Sequence, residues 1–281
     1  MKFLLANNHM PSIGGSESFT REFAHELVRR GHSVRVIDAT GKLWVSHNEN
    51  EGPFDAAFLS HNTTVDLVVQ GYDIPLDRII QTIHGRAHRL EKPSQRPIRF
   101  VAVSQELGEM YDCPVIMNGV NLEKFRPGKK EHRVLSMCQS DRFNAMLKPI
   151  CESEGYEFQA RNKHTNPTWA IQDEMATAEV VIGLGRSAIE AMACGCAVIV
   201  ADDREYQGAL YDGVITEGTY HELAKANFSG RRYGDRPDAE LLLIALQSIQ
   251  SLNGARCRWL AEQHHDIRQQ VGRYLQLING E

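Results

Sequence analysis

No stretch of this chain reaches the roughly 20 consecutive apolar residues that a membrane-spanning helix needs. The opening Met-Lys-Phe-Leu-Leu-Ala-Asn-Asn also lacks the apolar core of a secretion signal. A soluble, cytoplasmic protein with no membrane span is therefore expected. Cysteine is sparse: six in 281 residues do not make the dense framework of a small secreted domain. Cys194 and Cys196 are the one close pair, and no second pair lies at ligand spacing, so buried, reduced thiols are expected rather than a zinc or redox centre. An excess of one charge is missing too. With 31 Lys and Arg against 36 Asp and Glu, mixed along the chain, there is no basic stripe of the kind that tracks nucleic acid. Asp-x-Asp does not occur, so a manganese site of that kind is not expected. Gly-x-Gly-x-x-Gly with an acidic residue about 20 positions on is absent as well, which argues against a dinucleotide-dependent dehydrogenase.

What the chain does have is alternation. Phe3–Asn7 reads as a buried strand, followed by Gly14-Gly15 and a helix over Ser16–Arg30, where Phe19, Phe23, Ala24, Leu27 and Val28 recur at helical spacing. Further strands are expected at Ser33–Ile37, Ala56–Ser60, Arg78–Ile83, Arg99–Val103 and Pro114–Met117. The Gly-, Pro- and charge-rich segment Asn118–Glu131 breaks the pattern and marks a domain boundary. The alternation then restarts, with strands at Arg133–Met137, Tyr156–Ala160, Glu179–Ile182 and Ala197–Ala201. Helices are expected near Asn144–Ser153, Trp169–Ala176 and Arg186–Ala193, and two long ones, Ala239–Leu252 and Arg256–Ile278, near the end. Strands separated by helices imply parallel sheets with right-handed crossovers. The expected organisation is an N-terminal Rossmann-like domain over 1–123 and a second over 124–255. The C-terminal helix, 256–281, is expected to pack back on the first. Two such halves facing each other across a cleft would place a ligand between them.

Two glycine-rich turns carry the chemistry. Gly14-Gly15 follows the first strand and opens a helix, where a backbone without side chains and free N–H groups can meet an anion, although a tight turn reads the same way. Gly183-Leu-Gly185 follows the strand Glu179–Ile182 and opens a helix whose first turn holds Arg186 and Ser187. Free N–H groups beside a cation suit a nucleotide diphosphate. Glu190, four residues after Arg186, lies on the same helix face.

The stretches Gly14-Gly-Ser-Glu-Ser, Leu27-Val-Arg-Arg-Gly-His32-Ser-Val-Arg-Val, Val101-Ala-Val-Ser104-Gln-Glu-Leu, Asn118-Gly-Val-Asn with Phe125-Arg-Pro127, and Gly183–Gly195 occur in one order. Together they resemble family 4 glycosyltransferases of GT-B fold. The branch resembled is one reading Gly-x-Gly-Arg-Ser-Ala-x-Glu-Ala-Met-Ala. The resemblance implies retaining, metal-independent transfer of a sugar from a nucleotide diphosphate sugar, the donor partner, to an unknown acceptor. Nucleic acid enters only as one conceivable acceptor, and no cofactor is implied beyond the donor. Glu190 would accept the ribose hydroxyls. Gly14, Gly15, Gly183, Gly185, Arg186, Ser187 and Lys148 would line the donor. His84, in Thr82-Ile-His84-Gly85 at a strand end, and Arg142 would act at the reacting sugar and its leaving phosphates. By composition alone, apart from the resemblance, Arg231-Arg232 would be substitute cations.

One position departs from that pattern. The family places a Glu eight positions before Glu190, and here Ile182 stands there; an apolar side chain cannot hydrogen-bond a donor sugar. Two further readings therefore stay open: a degenerate relative that binds nucleotide sugar or a partner without turnover, and a GT-B sugar-nucleotide epimerase.

Overall fold

The computed structural model describes residues 1–48, 53–86, 88–204 and 208–280. The chain divides into two compact units, Met1–Gly119 with Ile267–Glu281, and Val120–Asp266.

In the first unit β1 (Lys2–Asn7) is buried along its whole length, as a parallel strand covered on both faces must be. Helix α1 (Gly15–Arg29) leads to β2 (Ser33–Ile37), which pairs parallel with β1, and β3 (Leu43–His47) folds back antiparallel on β2. The chain then crosses to the other side of β1. There β4 (Ala56–Ser60), α2 (Thr63–Gly71), β5 (Ile79–Ile83), β6 (Arg99–Ala102) and α3 (Gln105–Tyr111) complete a sheet ordered β3-β2-β1-β4-β5-β6. Side chains alternate across it with the period of two that a strand imposes. Phe3 and Leu5 face a core with Phe23, Leu27 and Phe58, while Leu4 and Ala6 face another with Leu59, Val65 and Val68. Burying each such Leu or Phe contributes about 1.5–3 kcal/mol.

The second unit repeats the plan. Its elements are β7 (Glu131–Ser136), α4 (Asp141–Ser153), β8 (Glu157–Ala160), α5 (Ile171–Thr177), β9 (Ala178–Gly183), α6 (Arg186–Ala193), β10 (Ala197–Arg204), β11 (Gly208–Val214), α7 (Glu217–Lys225), α8 (Ala239–Gln247) and α9 (Asn253–His264). The sheet order is β11-β10-β9-β7-β8, parallel except for β11. Helix α10 (Ile267–Asn279) belongs to the first unit, where Val271, Tyr274 and Ile278 join the core with Phe23 and Phe58.

In both sheets the first strand has the next strand on one side and a later one on the other. The order reverses between β1 and β4, and between β7 and β9. Ligand crevices of open α/β sheets lie at such reversals, outside the carboxyl ends of the strands.

Several elements differ from the sequence reading. The antiparallel strands β3 and β11 and helix α7 were not expected. Pro114–Met117 is no strand; it makes one isolated bridge between Val115 and Ala102, and Pro114 has no N–H to extend a ladder. Arg256–Ile278 is not one helix. It breaks at His265 and Asp266, because the His265 carbonyl accepts the Val120 N–H (2.8 Å) instead of continuing the helix. His265 is consequently buried, bonded to the Tyr220 hydroxyl (2.9 Å).

Candidate functional site

At the carboxyl ends of β7 and β9 the second unit brings together the Gly183–Glu190 segment and the start of α4. Gly183 ends β9 where an added Cβ would lie 3.1 Å from Cβ of Met137 and 3.4 Å from that of Ser187. Gly185 adopts φ 56, ψ −122, a conformation open to glycine and strained for other residues. Its N–H donates to the Phe228 carbonyl (2.8 Å), which ties the turn to the loop after α7. Gly185 caps α6 with no side-chain hydrogen bond, so the first N–H groups of the helix end on this crevice. Ser187 stands half-buried in the first turn, its N–H on the Leu184 carbonyl at 3.2 Å.

Arg186 and Glu190 are not a surface pair. They are 7% and 6% exposed, with Nε of Arg186 donating to Oε1 of Glu190 at 2.8 Å. Other cations are shared out differently. Arg142 is exposed on the first turn of α4, which Ser140 caps by accepting the Phe143 N–H (3.1 Å). Lys148 lies farther along α4, exposed, with Nζ 3.8 Å from Oε1 of Glu152. Arg161 pairs with Glu174, Arg204 with Asp202 and Arg232 with Glu222. Arg231 lies near the buried Asp212.

Ile182 is 2% exposed and packs in the apolar core with Val134, Phe143, Leu147 and Ile199. Its identity is explained by packing: β9 runs through this position and aims the side chain into the core. The six cysteines are free thiols; Cys113 is half-buried and the other five are buried. Burial pushes the Cys196 thiol up to about 11, partly offset by Lys130.

At the carboxyl ends of β1, β4 and β5 the first unit gathers a polar cluster. His84 follows β5, with Nε2 3.1 Å from the Ser60 hydroxyl and its ring edge-on to Phe19. Its N–H donates to Oε2 of Glu91 at 3.0 Å, and Oε1 of Glu91 lies 3.5 Å from Nε2 of His61. Burial opposes the charge on Glu91, yet His61 and His84 beside it hold its carboxyl below the usual range. His61 follows β4 at φ 78, a strained backbone for histidine.

Gly14 proves to make room for a side chain. Its φ of −171 is open to any residue, but an added Cβ would meet Oε2 of Glu17 at 2.2 Å. Glu17 is folded back over the turn, bonded to the Ser16 hydroxyl (3.0 Å) and to Nδ1 of His9 (3.3 Å). Gly15 begins α1. One ligand atom each from His9, Glu17 and His61 fall within 4.8 Å of one another, a spacing that could hold a metal. The hydrogen bonds disfavour it: the Asn8 N–H points at Nδ1 of His61 (3.4 Å), so the lone pair of the neutral ring is engaged and Nε2 carries the proton.

The sequence singles out His84 and not His61, although both follow a strand directly. It also missed His9, Glu17 and Glu91, whose partners come from other elements.

No family model matches the chain, and no curated protein sequence matches it. Solved structures do resemble it. One is AviGT4, a glycosyltransferase involved in avilamycin A biosynthesis, at 13% identity over 100% of this chain and 98% of that one, with a TM-score of 0.63. Another is an α-glucosyltransferase in complex with UDP and a 13-mer DNA containing an HMU base, at 11% identity over 99% of each chain and a TM-score of 0.56. A third is WaaG, a glycosyltransferase involved in lipopolysaccharide biosynthesis, at 13% identity over 100% of each chain and a TM-score of 0.53. At such identities the likeness is one of fold: the chain is an α/β protein with the GT-B fold of these glycosyltransferases.

Proposed function

We propose that this chain is a glycosyltransferase that takes a sugar from a nucleotide diphosphate sugar and places it on an acceptor, with retention and without a metal. One observation carries the reading: the Gly183-Leu184-Gly185 turn sits at the order reversal of the second sheet, opens α6 and holds the buried Arg186–Glu190 pair. The diphosphate lies against the first N–H groups of α6, with Ser187 and the exposed Arg142 of the neighbouring α4 beside it. The ribose hydroxyls meet the Glu190 carboxylate, which the Arg186 guanidinium keeps oriented.

During transfer the acceptor oxygen bonds to the anomeric carbon and gives up its proton to the departing diphosphate, as the bond from that carbon to the diphosphate breaks. The electron pair leaves on the diphosphate, where oriented N–H groups and Arg142 stabilise it by preorganised electrostatics. Lys148, paired with Glu152, has no part in this reading, and Gly14 serves Glu17 rather than a phosphate. Fold likeness to glycosyltransferases, one of them solved with UDP, supports the reaction class.

The test is turnover of a panel of uridine, adenosine, guanosine and thymidine diphosphate sugars, followed as free nucleoside diphosphate with and without EDTA. At least one donor should release its diphosphate slowly to water, at the same rate with chelator. Interconverted sugar nucleotide with no diphosphate released would mean an epimerase. Binding without turnover of any donor would mean a degenerate relative.

A further inference from the structure

The loop after α7 is fastened to the glycine turn of the second unit more tightly than a connection requires. Helix α7 ends at Lys225, and Asn227 then turns the chain at φ 53, a routine conformation for asparagine at a helix end. Phe228 follows at φ 50, which is an outlier for so bulky a residue. Phe228 is 1% exposed, its ring anchored by Tyr220 and His265 with centroids 5.8 and 5.9 Å away. Its carbonyl accepts the Gly185 N–H at 2.8 Å. Gly230, at φ 74, makes a second close approach. An added Cβ there would lie 2.7 Å from Cβ of Leu210 and 3.1 Å from Cδ2 of Leu184, the residue between the two glycines of the turn. The far end of the loop is held by Asp212 of β11, 4% exposed, whose Oδ1 accepts the Tyr233 N–H at 3.0 Å. Backbone strain held from both sides in this way clusters at active sites and ligand clamps.

Two side chains of the loop indicate an anion. Oγ of Ser229 is buried and has no hydrogen-bond partner in the protein. An orphaned hydroxyl destabilises a fold, so packing does not explain a serine at this position. Ser229 directly follows the carbonyl that receives the Gly185 N–H, and one rotation about χ1 carries its hydroxyl from one staggered position to another. The adjacent arginines are split by the structure. Arg232 is exposed and engaged by Glu222 of α7. Arg231 is half-buried beside Asp212, whose carboxyl is pushed up by burial and pulled down by the Arg231 guanidinium. A buried carboxylate thus holds one of the two cations, three residues past Phe228 and within roughly 11 Å of it along the backbone.

We infer that this loop is a second wall of the diphosphate site, where the Ser229 hydroxyl and the Arg231 guanidinium bind the phosphate oxygens of the donor. The inference rests on the donor reading of the glycine turn and adds two residues that neither the turn nor α4 supplies. A phosphate oxygen gives the Ser229 hydroxyl the acceptor that the protein does not. The planar fork of Arg231 can bridge two such oxygens while Asp212 keeps it in place. All of these groups belong to the second unit.

Ser229→Ala and Arg231→Gln test it, by calorimetric titration with UDP, ADP, GDP and dTDP and with the matching nucleosides. Ser229→Ala should weaken whichever diphosphate the wild type binds roughly tenfold, the contribution of one hydrogen bond to a charged group. Its nucleoside affinity should stay at the wild-type value. It should also melt at or above the wild-type temperature, because it removes an orphaned hydroxyl. Arg231→Gln should weaken the diphosphate at least as much, again sparing the nucleoside, and should flatten the salt dependence of the affinity. Asp212 loses its cation in that variant, so its melting temperature should fall. Wild-type diphosphate affinity in either variant overturns the inference, as does an equal loss for nucleoside and diphosphate in Ser229→Ala. A wild type that binds none of the four diphosphates defeats the donor reading and this inference with it. A wild type that binds one, matched by Ser229→Ala, defeats this inference alone.

Discussion

Glu190 has two tasks that a substitution must separate. It neutralises the buried Arg186 and, in the proposed site, accepts the ribose hydroxyls. Removing one member of a buried ion pair strands the other and costs about 3–5 kcal/mol. Glu190→Ala should therefore lower the melting temperature markedly, and its loss of binding would say little. Glu190→Gln keeps an oxygen for the Arg186 Nε–H and should melt closer to wild type, yet bind nucleoside and nucleoside diphosphate more weakly by similar factors. Arg186→Ala strands the Glu190 carboxylate in the same way and should lower the melting temperature as markedly; a wild-type melting temperature would show that the pair contributes nothing to the fold. Of these residues the sequence shows Arg186 and Glu190 as a spacing, and only the structure shows that the pair is buried. Ile182 reads as a lost sugar ligand until its side chain is placed in the core. Glu17 is unreadable alone, because its meaning comes from His9 across the turn and from the space left by Gly14.

Among the elements, the parallel strands were legible because burial on both faces writes them as short apolar runs bounded by turns. The two antiparallel edge strands were not. β3, Leu-Trp-Val-Ser-His, is half-exposed throughout, and β11 opens on Gly208 with Gly213 near its end, so neither carries a strong apolar signal. Helix α7 did have a readable start, since Thr216 and Thr219 form a reciprocal cap and Tyr220, Leu223 and Ala224 follow at helical spacing. The break between α9 and α10 was invisible because it comes from pairing with Val120, far away in sequence. One contact between elements can be checked directly. An added Cβ at Gly254, in α9, would lie 2.4 Å from the Gly195 carbonyl oxygen at the end of α6. Gly254→Ala should therefore destabilise the protein by about 1–3 kcal/mol through overpacking, read as a lower midpoint in denaturant unfolding. A wild-type midpoint would show that the two helices can separate without cost.

At the scale of the whole molecule, two parallel-rich sheets each place their chemistry at the reversal of strand order. The first gathers His9, Glu17, His61, His84 and Glu91; the second gathers the glycine turn, Arg142, Arg186 and Glu190. The repeated plan was readable from alternation alone, because the rule that places ligands depends on topology rather than on side chains. No helix among the described residues is long and apolar enough to cross a membrane. The central claim is that the second crevice binds a nucleoside diphosphate, and calorimetric titration of the wild-type protein with UDP, ADP, GDP and dTDP tests it most directly. The account predicts saturable one-to-one binding of at least one of them in EDTA, with the matching nucleoside bound more weakly. Flat titrations with all four would contradict it.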